Sequence, residues 1–189
     1  MSIPSLRIIV ALDEEGGFAK DGKIPWNFSE DFDHFKKTTA GHHCIMGRRT
    51  AEDILGRRRD GEKLRKMYDE GDGHLVQDFE LLPGRTSIVL SRNLDFFIPG
   101  AEVVPDLRSA LEKVNGPQKQ TFILGGEKLF TQALPQVSGI TVTLVPGIWG
   151  CDRHFLLKYL MENFKLVDGK TLDNSSLRVV EYSRVRTRR

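Results

Sequence analysis

Cysteine is scarce: Cys44 and Cys151 are the only two in 189 residues. No disulfide framework can be built from them, and neither sits in a metal-ligand spacing. Cys44 lies in an apolar, strand-like run and reads as a small core residue. His34, His42, His43, His74 and His154 show no ligand spacing either, so no metal is expected. No apolar run approaches the length that crosses a bilayer, and Met1–Arg7 lacks the pattern of a signal peptide. A reducing, cytoplasmic setting with no membrane partner is the expectation. Neither sign of charge is in excess: 28 Lys and Arg against 26 Asp and Glu leave a net charge of +2. That balance is too mild to argue for a nucleic-acid partner. Basic residues do cluster at Arg57–Arg59 and at Arg184, Arg186, Arg188 and Arg189, and such clusters read as solvated surface. Repeats and low-complexity tracts are missing, which excludes a solenoid.

What is present suits one domain with a sizeable core. Hydrophobic residues make up 39% and charged residues 29%. The stretch that organises the chain is Pro25–Lys37, P-W-N-F-S-E-D-F-D-H-F-K-K. Ser29 reads as an N-cap, with Glu30 and Asp31 in the first turn, where acids suit the helix dipole. Phe28, Phe32 and Phe35 recur at helical spacing and define one apolar face. Asp31 falls on that same face. A carboxylate there is costly to bury unless a protein group or a ligand pairs with it; the bland alternative is a first-turn helix acid without chemistry.

Elsewhere strands and helices alternate. Leu6–Leu12 reads as a buried strand, and Asp13–Lys23, with Gly16, Gly17 and Gly22, as a mobile loop. The helix from Ser29 to about Thr39 is ended by Gly41. The strand His43–Met46 runs into Gly47-Arg48-Arg49-Thr50 and a helix over Thr50–Leu55. A glycine followed by basic and hydroxyl residues at a helix start suits an anion, although an ordinary turn with surface arginines has the same composition. Arg57–Glu80 is charged and glycine-rich and reads as a surface insertion, with a short helix over Asp60–Asp69. Strands follow at Thr86–Leu90 and Glu102–Val104, then a helix capped by Asp106. Thr121–Leu124 is a further strand, with Gly125-Gly126 leading to a helix through about Leu134, and Gly139–Val145 is another. Trp149 reads as packing, and the tail over Phe164–Val167 and Leu177–Val185 as a terminal antiparallel hairpin. The whole is α/β with a mixed sheet. Gly47–Thr50, Ser91-Arg92 and Gly125-Gly126 each end a strand with ligand-suited residues, and open α/β sheets bind ligands at that edge.

Taken together, I-V-A-L, D-G-K-I-P-W, the helix S-E-D-F-D-H-F-K-K-T-T, I-M-G-R-R-T, L-P-G-R, I-V-L-S-R-N, L-G-G-E-K-L-F and D-R-H-F resemble dihydrofolate reductases. They run in that family's order to about Phe155. The resemblance implies a three-layer fold with an eight-stranded, mostly parallel mixed sheet flanked by helices and closed by a C-terminal antiparallel hairpin. It implies a single domain over 1–189 with the insertion 57–80 on its surface. It implies NADPH-dependent reduction of 7,8-dihydrofolate to tetrahydrofolate, which supports one-carbon metabolism and thymidylate synthesis, sensitivity to antifolates, and a monomer. Hydride would pass from nicotinamide C4 to pterin C6, with N5 protonated through water.

By the same resemblance Asp31 is the active-site carboxylate, bidentate to the pterin, and Trp26 helps hold a water beside it. Ile9, Val10, Ala11 and Leu124 line the pterin and nicotinamide, and Phe32, Phe35 and Ile54 form the wall along the substrate. Arg85 takes the substrate's α-carboxylate, and Thr143 supports Asp31. On the cofactor side stand Ala19 of the mobile loop, Gly47, Arg48, Arg49, Thr50, Leu90, Ser91 and Arg92, then Gly125, Gly126, Glu127, Lys128, Leu129 and Phe130. Arg48, Ser91 and Arg92 would surround the 2′-phosphate that separates NADPH from NADH. There are departures from the family pattern. Ala19 stands where glycine is usual, Phe130 where tyrosine is common, and Cys151 replaces the glycine of a G-D-T-x-F turn. Ala51 replaces a bulky aromatic, which would leave space near the cofactor. Related pterin or pyrimidine reductases share the cofactor side, but the acid on the Pro25-Trp26 helix argues against them. A regulator that keeps the fold and binds nucleotide or RNA would be favoured by loss of Asp31 or Arg85, and both are present.

Overall fold

The computed structural model describes residues 5–57, 79–93, 95–114, 120–173 and 175–185. The short helix expected over Asp60–Asp69, most of the insertion, His74 and the last arginines lie outside the described residues.

The strands are β1 (Leu6–Leu12), β2 (Gly17–Ala19), β3 (His43–Gly47), β4 (Thr86–Leu90), β5 (Glu102–Val104), β6 (Thr121–Ile123), β7 (Gly139–Leu144), β8 (Arg153–His154), β9 (Phe164–Thr171) and β10 (Arg178–Arg184). The helices are α1 (Ser29–Thr39), α2 (Arg48–Arg57), α3 (Leu107–Lys113), α4 (Glu127–Ala133) and α5 (Leu157–Asn163). Eight strands form one sheet in the order β5-β4-β3-β6-β1-β7-β10-β9. The pairs from β5 to β7 are parallel, and β10 runs antiparallel to both β7 and β9. The expected mixed sheet and terminal hairpin are therefore present.

The period-2 geometry of the strands divides the core between two faces. Leu6, Ile8, Val10 and Leu12 of β1 point to one side, where Ile45, Ile88, Ile123 and Ile140 join residues of α3, α4 and α5. Cys44, Met46 and Val89 point to the other, against Ala51 and Leu55 of α2. Ile8, Ile45, Ile123 and Ile140 are completely enclosed, and truncating any one to Ala would cost about 2–5 kcal/mol. The alternation also leaves Ile9 and Ala11 on the face of β1 that opens toward α1.

Several local expectations are corrected. Ser29 does not cap α1: Phe28 holds the extended cap position with no side-chain bond, and the Ser29 hydroxyl donates instead to Glu30 Oε2 at 3.0 Å. Gly41 does end that helix, in the left-handed conformation at φ +76°. α2 begins at Arg48 rather than Thr50, directly from the last residue of β3. The segment Asp13–Lys23 is not a plain loop, because Gly17–Ala19 pairs antiparallel with Arg153–His154. The tail does not alternate in burial as its sequence suggests: β9 is an edge strand, and after Phe164 all its residues are exposed. α5, which fills the link before it, has no counterpart in the sequence reading.

Candidate active site

A cleft of about 1360 Å³ opens at the carboxyl ends of the central strands. Its floor is the Ile9–Ala11 face of β1 together with Leu124, and one wall is α1. Asp31, Phe32 and Phe35 all line it, so the apolar face of α1 is turned toward the cleft, with Phe35 also packed against the Met46–Val89 side of the core. Only Thr39 of that helix is fully buried. Burial pushes the Asp31 carboxyl above its ordinary value, and the Thr143 hydroxyl bonded to it offsets part of that effect. Thr143 is itself buried on β7.

Trp26 is 2% exposed and does not line the cleft. Its ring meets Trp149 edge-on at 5.9 Å, and its Nε1 is buried with no hydrogen-bond partner among the described residues. Such a donor is costly to leave unmet. Further out, Arg85 is fixed as a fork. Its guanidinium donates to Thr39 Oγ1 at 2.8 Å, to Lys36 O at 2.9 Å and to Pro83 O at 2.9 Å, and it stands 5.7 Å from the Phe35 ring centre.

The other half of the cleft is a cluster of strand ends. The Gly47 N–H donates to Gly125 O at 2.7 Å, bringing the ends of β3 and β6 into contact. The Gly125–Gly126 peptide is cis. Gly125 has φ +109°, and a Cβ there would lie 3.0 Å from the Phe130 ring, so only glycine suits the position. Arg48, Arg49, Thr50, Leu90, Ser91 and Arg92 line this end, as do Gly126 through Phe130. Arg48 is paired with Glu52 at 2.9 Å and stacks 4.6 Å above the Phe96 ring. Arg49 and Arg92 are exposed and make no ion pair with another described residue. The Ser91 hydroxyl is engaged locally, donating to Asn93 O at 2.9 Å.

The candidate residues thus converge on one cleft, with Trp26 and Gly125 just behind its surface. Ala51 does not bear out its expectation. It is completely buried and packs in the core cluster with Met46, Leu55, Val89 and Ile98, so it leaves no space beside the cleft. Phe130 keeps an aromatic role, edge-on to Phe18 and Phe155 at 5.4 Å each. Arg57 is not simply solvated surface, as its basic run suggests. It lines the cleft, pairs with Asp53 at 2.9 Å and donates to Ile24 O at 3.3 Å. The i, i+4 spacing of Asp53 and Arg57 was a readable signal for that pair.

Comparison with known proteins agrees with the geometry. A family model described as dihydrofolate reductase matches residues 5–60 and 76–189. The chain belongs to the dihydrofolate reductase family. A dihydrofolate reductase of Bacillus subtilis is 31% identical over 165 residues, 87% of this chain and 83% of that one. One from Mycobacterium tuberculosis is 34% identical over 138 residues, 73% and 70% of the two chains. A solved structure of an Enterococcus faecalis dihydrofolate reductase, complexed with NADP(H) and RAB-propyl, has TM-score 0.74 at 24% identity over 95% of each chain, which shows the shared fold. Family membership makes this chain an oxidoreductase that reduces dihydrofolate to tetrahydrofolate, with NADPH as the cofactor. Among the described residues no helix is long and apolar enough to cross a membrane.

Proposed function

We propose that Asp31 is the carboxylate that recognises the pterin, and that the cleft divides into a substrate half along α1 and a cofactor half at the ends of β3, β4 and β6. The observation that carries this reading is Asp31 itself: a carboxylate raised in pKa by burial, bonded to Thr143 and facing an open cleft. Its oxygens accept from pterin N3–H and the 2-amino group, two charge-assisted bonds in one plane. Phe32, Phe35 and Ile54 hold the flat body of the substrate, and Arg85, already oriented by Thr39 and two backbone carbonyls, takes its α-carboxylate. Ile9, Val10, Ala11 and Leu124 seat the reacting rings.

The cofactor half fits the group it would hold. Arg92, a cation with no ion pair to another described residue, stands with Arg48 and Ser91 and suits the 2′-phosphate of NADPH, while Arg49, likewise unpaired among the described residues, suits the pyrophosphate. The free N–H groups at the start of α2 suit the pyrophosphate, with Gly125 through Lys128 opposite. Leu90, Leu129, Phe130 and Ala19 supply apolar contact. NADPH, when bound, would supply from nicotinamide C4 the hydride that pterin C6 accepts. Asp31 keeps the pterin oriented for that transfer. The unmet Trp26 Nε1 donor suits a water beside Asp31, and N5 takes its proton from water rather than from the carboxylate.

The same reading takes the chain as one domain over 1–189 with 57–80 as a surface insertion, working as a cytoplasmic monomer that also binds antifolates. The deciding experiment follows NADPH oxidation with 7,8-dihydrofolate, with and without an antifolate. Antifolate-sensitive turnover that favours NADPH over NADH is the expected result, and no turnover with dihydrofolate would sink the reading.

A further inference from the structure

Asp13 is the only carboxylate among the described residues that is buried outright, at 5% exposure. It stands at the end of β1, away from the substrate and cofactor positions. Its Oδ1 accepts from Glu15 N–H at 3.0 Å, in the β1–β2 connection, and from Gly17 N–H at 2.7 Å, at the first residue of β2. Its Oδ2 accepts from Trp149 N–H at 3.1 Å, in the connection from β7 to β8. The Cys151 thiol is bonded to the same carboxylate. One rigid group therefore holds two loops at once.

Each loop leads to a wall of the cleft. Beyond Gly17, Phe18 and Ala19 line the cofactor half, and Phe18 stands edge-on to Phe130. Beyond the other oxygen, the Trp149 ring stands edge-on to Trp26 at 5.9 Å and to Phe28 at 6.2 Å, at the foot of the helix that carries Asp31. We propose that Asp13 is a positioning residue for the reaction: its carboxylate sets β2 against the Trp149–Trp26 pair and so fixes the spacing of the two walls between which nicotinamide and pterin meet. The proposal rests on the cleft being the active site.

Other bonds cross the two loops. Glu14 N–H reaches Gly147 O at 3.2 Å, Gly147 N–H reaches Glu14 Oε1 at 2.9 Å, and Asp152 N–H reaches Ala19 O at 2.9 Å. Each joins one group to one group. Asp13 is the junction at which both loops meet a single charge, and charge-assisted bonds are the stronger kind. Burial alone would raise its pKa, but the Trp149, Gly17 and Glu15 N–H groups and the Cys151 thiol outweigh that and hold it below its ordinary value. The packing leaves no slack. A Cβ at Gly17 would lie 2.4 Å from Cys151 Cβ, and Cys151 stands where the family pattern has glycine.

The test compares the parent enzyme with Asp13→Asn and Asp13→Ala. Asn keeps the volume and one acceptor but must turn its NH2 toward one set of N–H donors. The expected result, per folded molecule, is a fall in kcat of about tenfold or more with a raised KM for NADPH. The NADPH-over-NADH ratio stays unchanged, because the Arg92 end of the cleft is not touched. The near-UV circular dichroism of the coupled Trp26–Trp149 pair diminishes in the same variants; Trp149→Phe, which keeps the backbone donor, identifies that band. Kinetic constants for Asp13→Asn within about twofold of the parent would reduce Asp13 to a structural role and overturn the proposal. A lowered kcat with an unchanged tryptophan band would overturn it equally. A parent enzyme inactive on dihydrofolate would refute the active-site reading instead, with the tryptophan band still intact.

Discussion

Replacing Asp31 by Asn should move activity and stability in opposite directions. The carboxylate offers the pterin two charge-assisted hydrogen bonds, each worth about 1.5–3 kcal/mol. Asn keeps one neutral acceptor, and its NH2 faces a donor on the ring. A net loss of about 2–5 kcal/mol follows, which is about 30- to 5,000-fold in kcat/KM. Initial rates from the loss of reduced-nicotinamide absorbance at neutral pH give the number, and NADPH binding measured by fluorescence titration should be unchanged. The stability effect has the other sign. Burial raises the Asp31 pKa above its unfolded value of 3.8, so the folded chain carries a penalty whenever the group is ionised. That penalty is fully present above the folded pKa and vanishes below 3.8, where the group is protonated in both states. Ligand-free Asp31→Asn should therefore melt higher than the parent at pH 7, and the difference should shrink as the pH falls through the folded pKa. A kcat/KM loss below about tenfold would refute the pairing with substrate. A variant less stable than the parent at pH 7 would refute the account of the buried charge.

Arg85→Ala should raise KM for dihydrofolate about 30- to 150-fold, from the loss of about 2–3 kcal/mol of charged hydrogen bonding, with a smaller effect on kcat. Arg85→Lys should not restore it, because a point charge cannot reproduce the fork; full recovery with Lys would contradict the bidentate role. Arg92→Ala should weaken NADPH by about tenfold more than NADH, and equal losses for both would remove the 2′-phosphate assignment. Gly17→Ala places a Cβ 2.4 Å from Cys151 Cβ and should destabilise the fold by about 1–3 kcal/mol. Cys151→Gly in the same chain should recover most of that, whereas simple additivity in thermal unfolding would show that the clash is not the cause.

The features legible without the structure were those carried by short-range rules. Leu6–Leu12 and Thr86–Leu90 have the stated bounds because a continuous β-branched apolar run has one good conformation in a buried parallel sheet. Asp106 does cap α3, accepting from Ser109 N–H at 2.8 Å, because that choice is settled within four residues. Ser29 had the same local credentials and does not cap α1, since Phe28 takes the cap position on its way to pack against Trp149. β2 was invisible for a related reason. Gly17–Ala19 has no apolar period of its own and is a strand only because Arg153–His154 arrives beside it. Asp13 carried a readable hint, an acid two before Glu15 and four before Gly17 as in an Asx turn, but nothing nearby in sequence points to Trp149.

The order of residues along the chain settled the alternation of strands and helices, the acid on the apolar face of α1, and the phosphate-suited ends of β3 and β4, because each depends on spacings of a few residues. Only the tertiary structure decided which of these meet. It set β6 between β1 and β3, brought Gly47 against Gly125, and raised the Asp31 pKa beside a threonine 112 positions away in sequence. It also buried Ala51 where sequence comparison expected free space. Burial and long-range contact are properties of the packed chain, and the chemistry of this cleft depends on both.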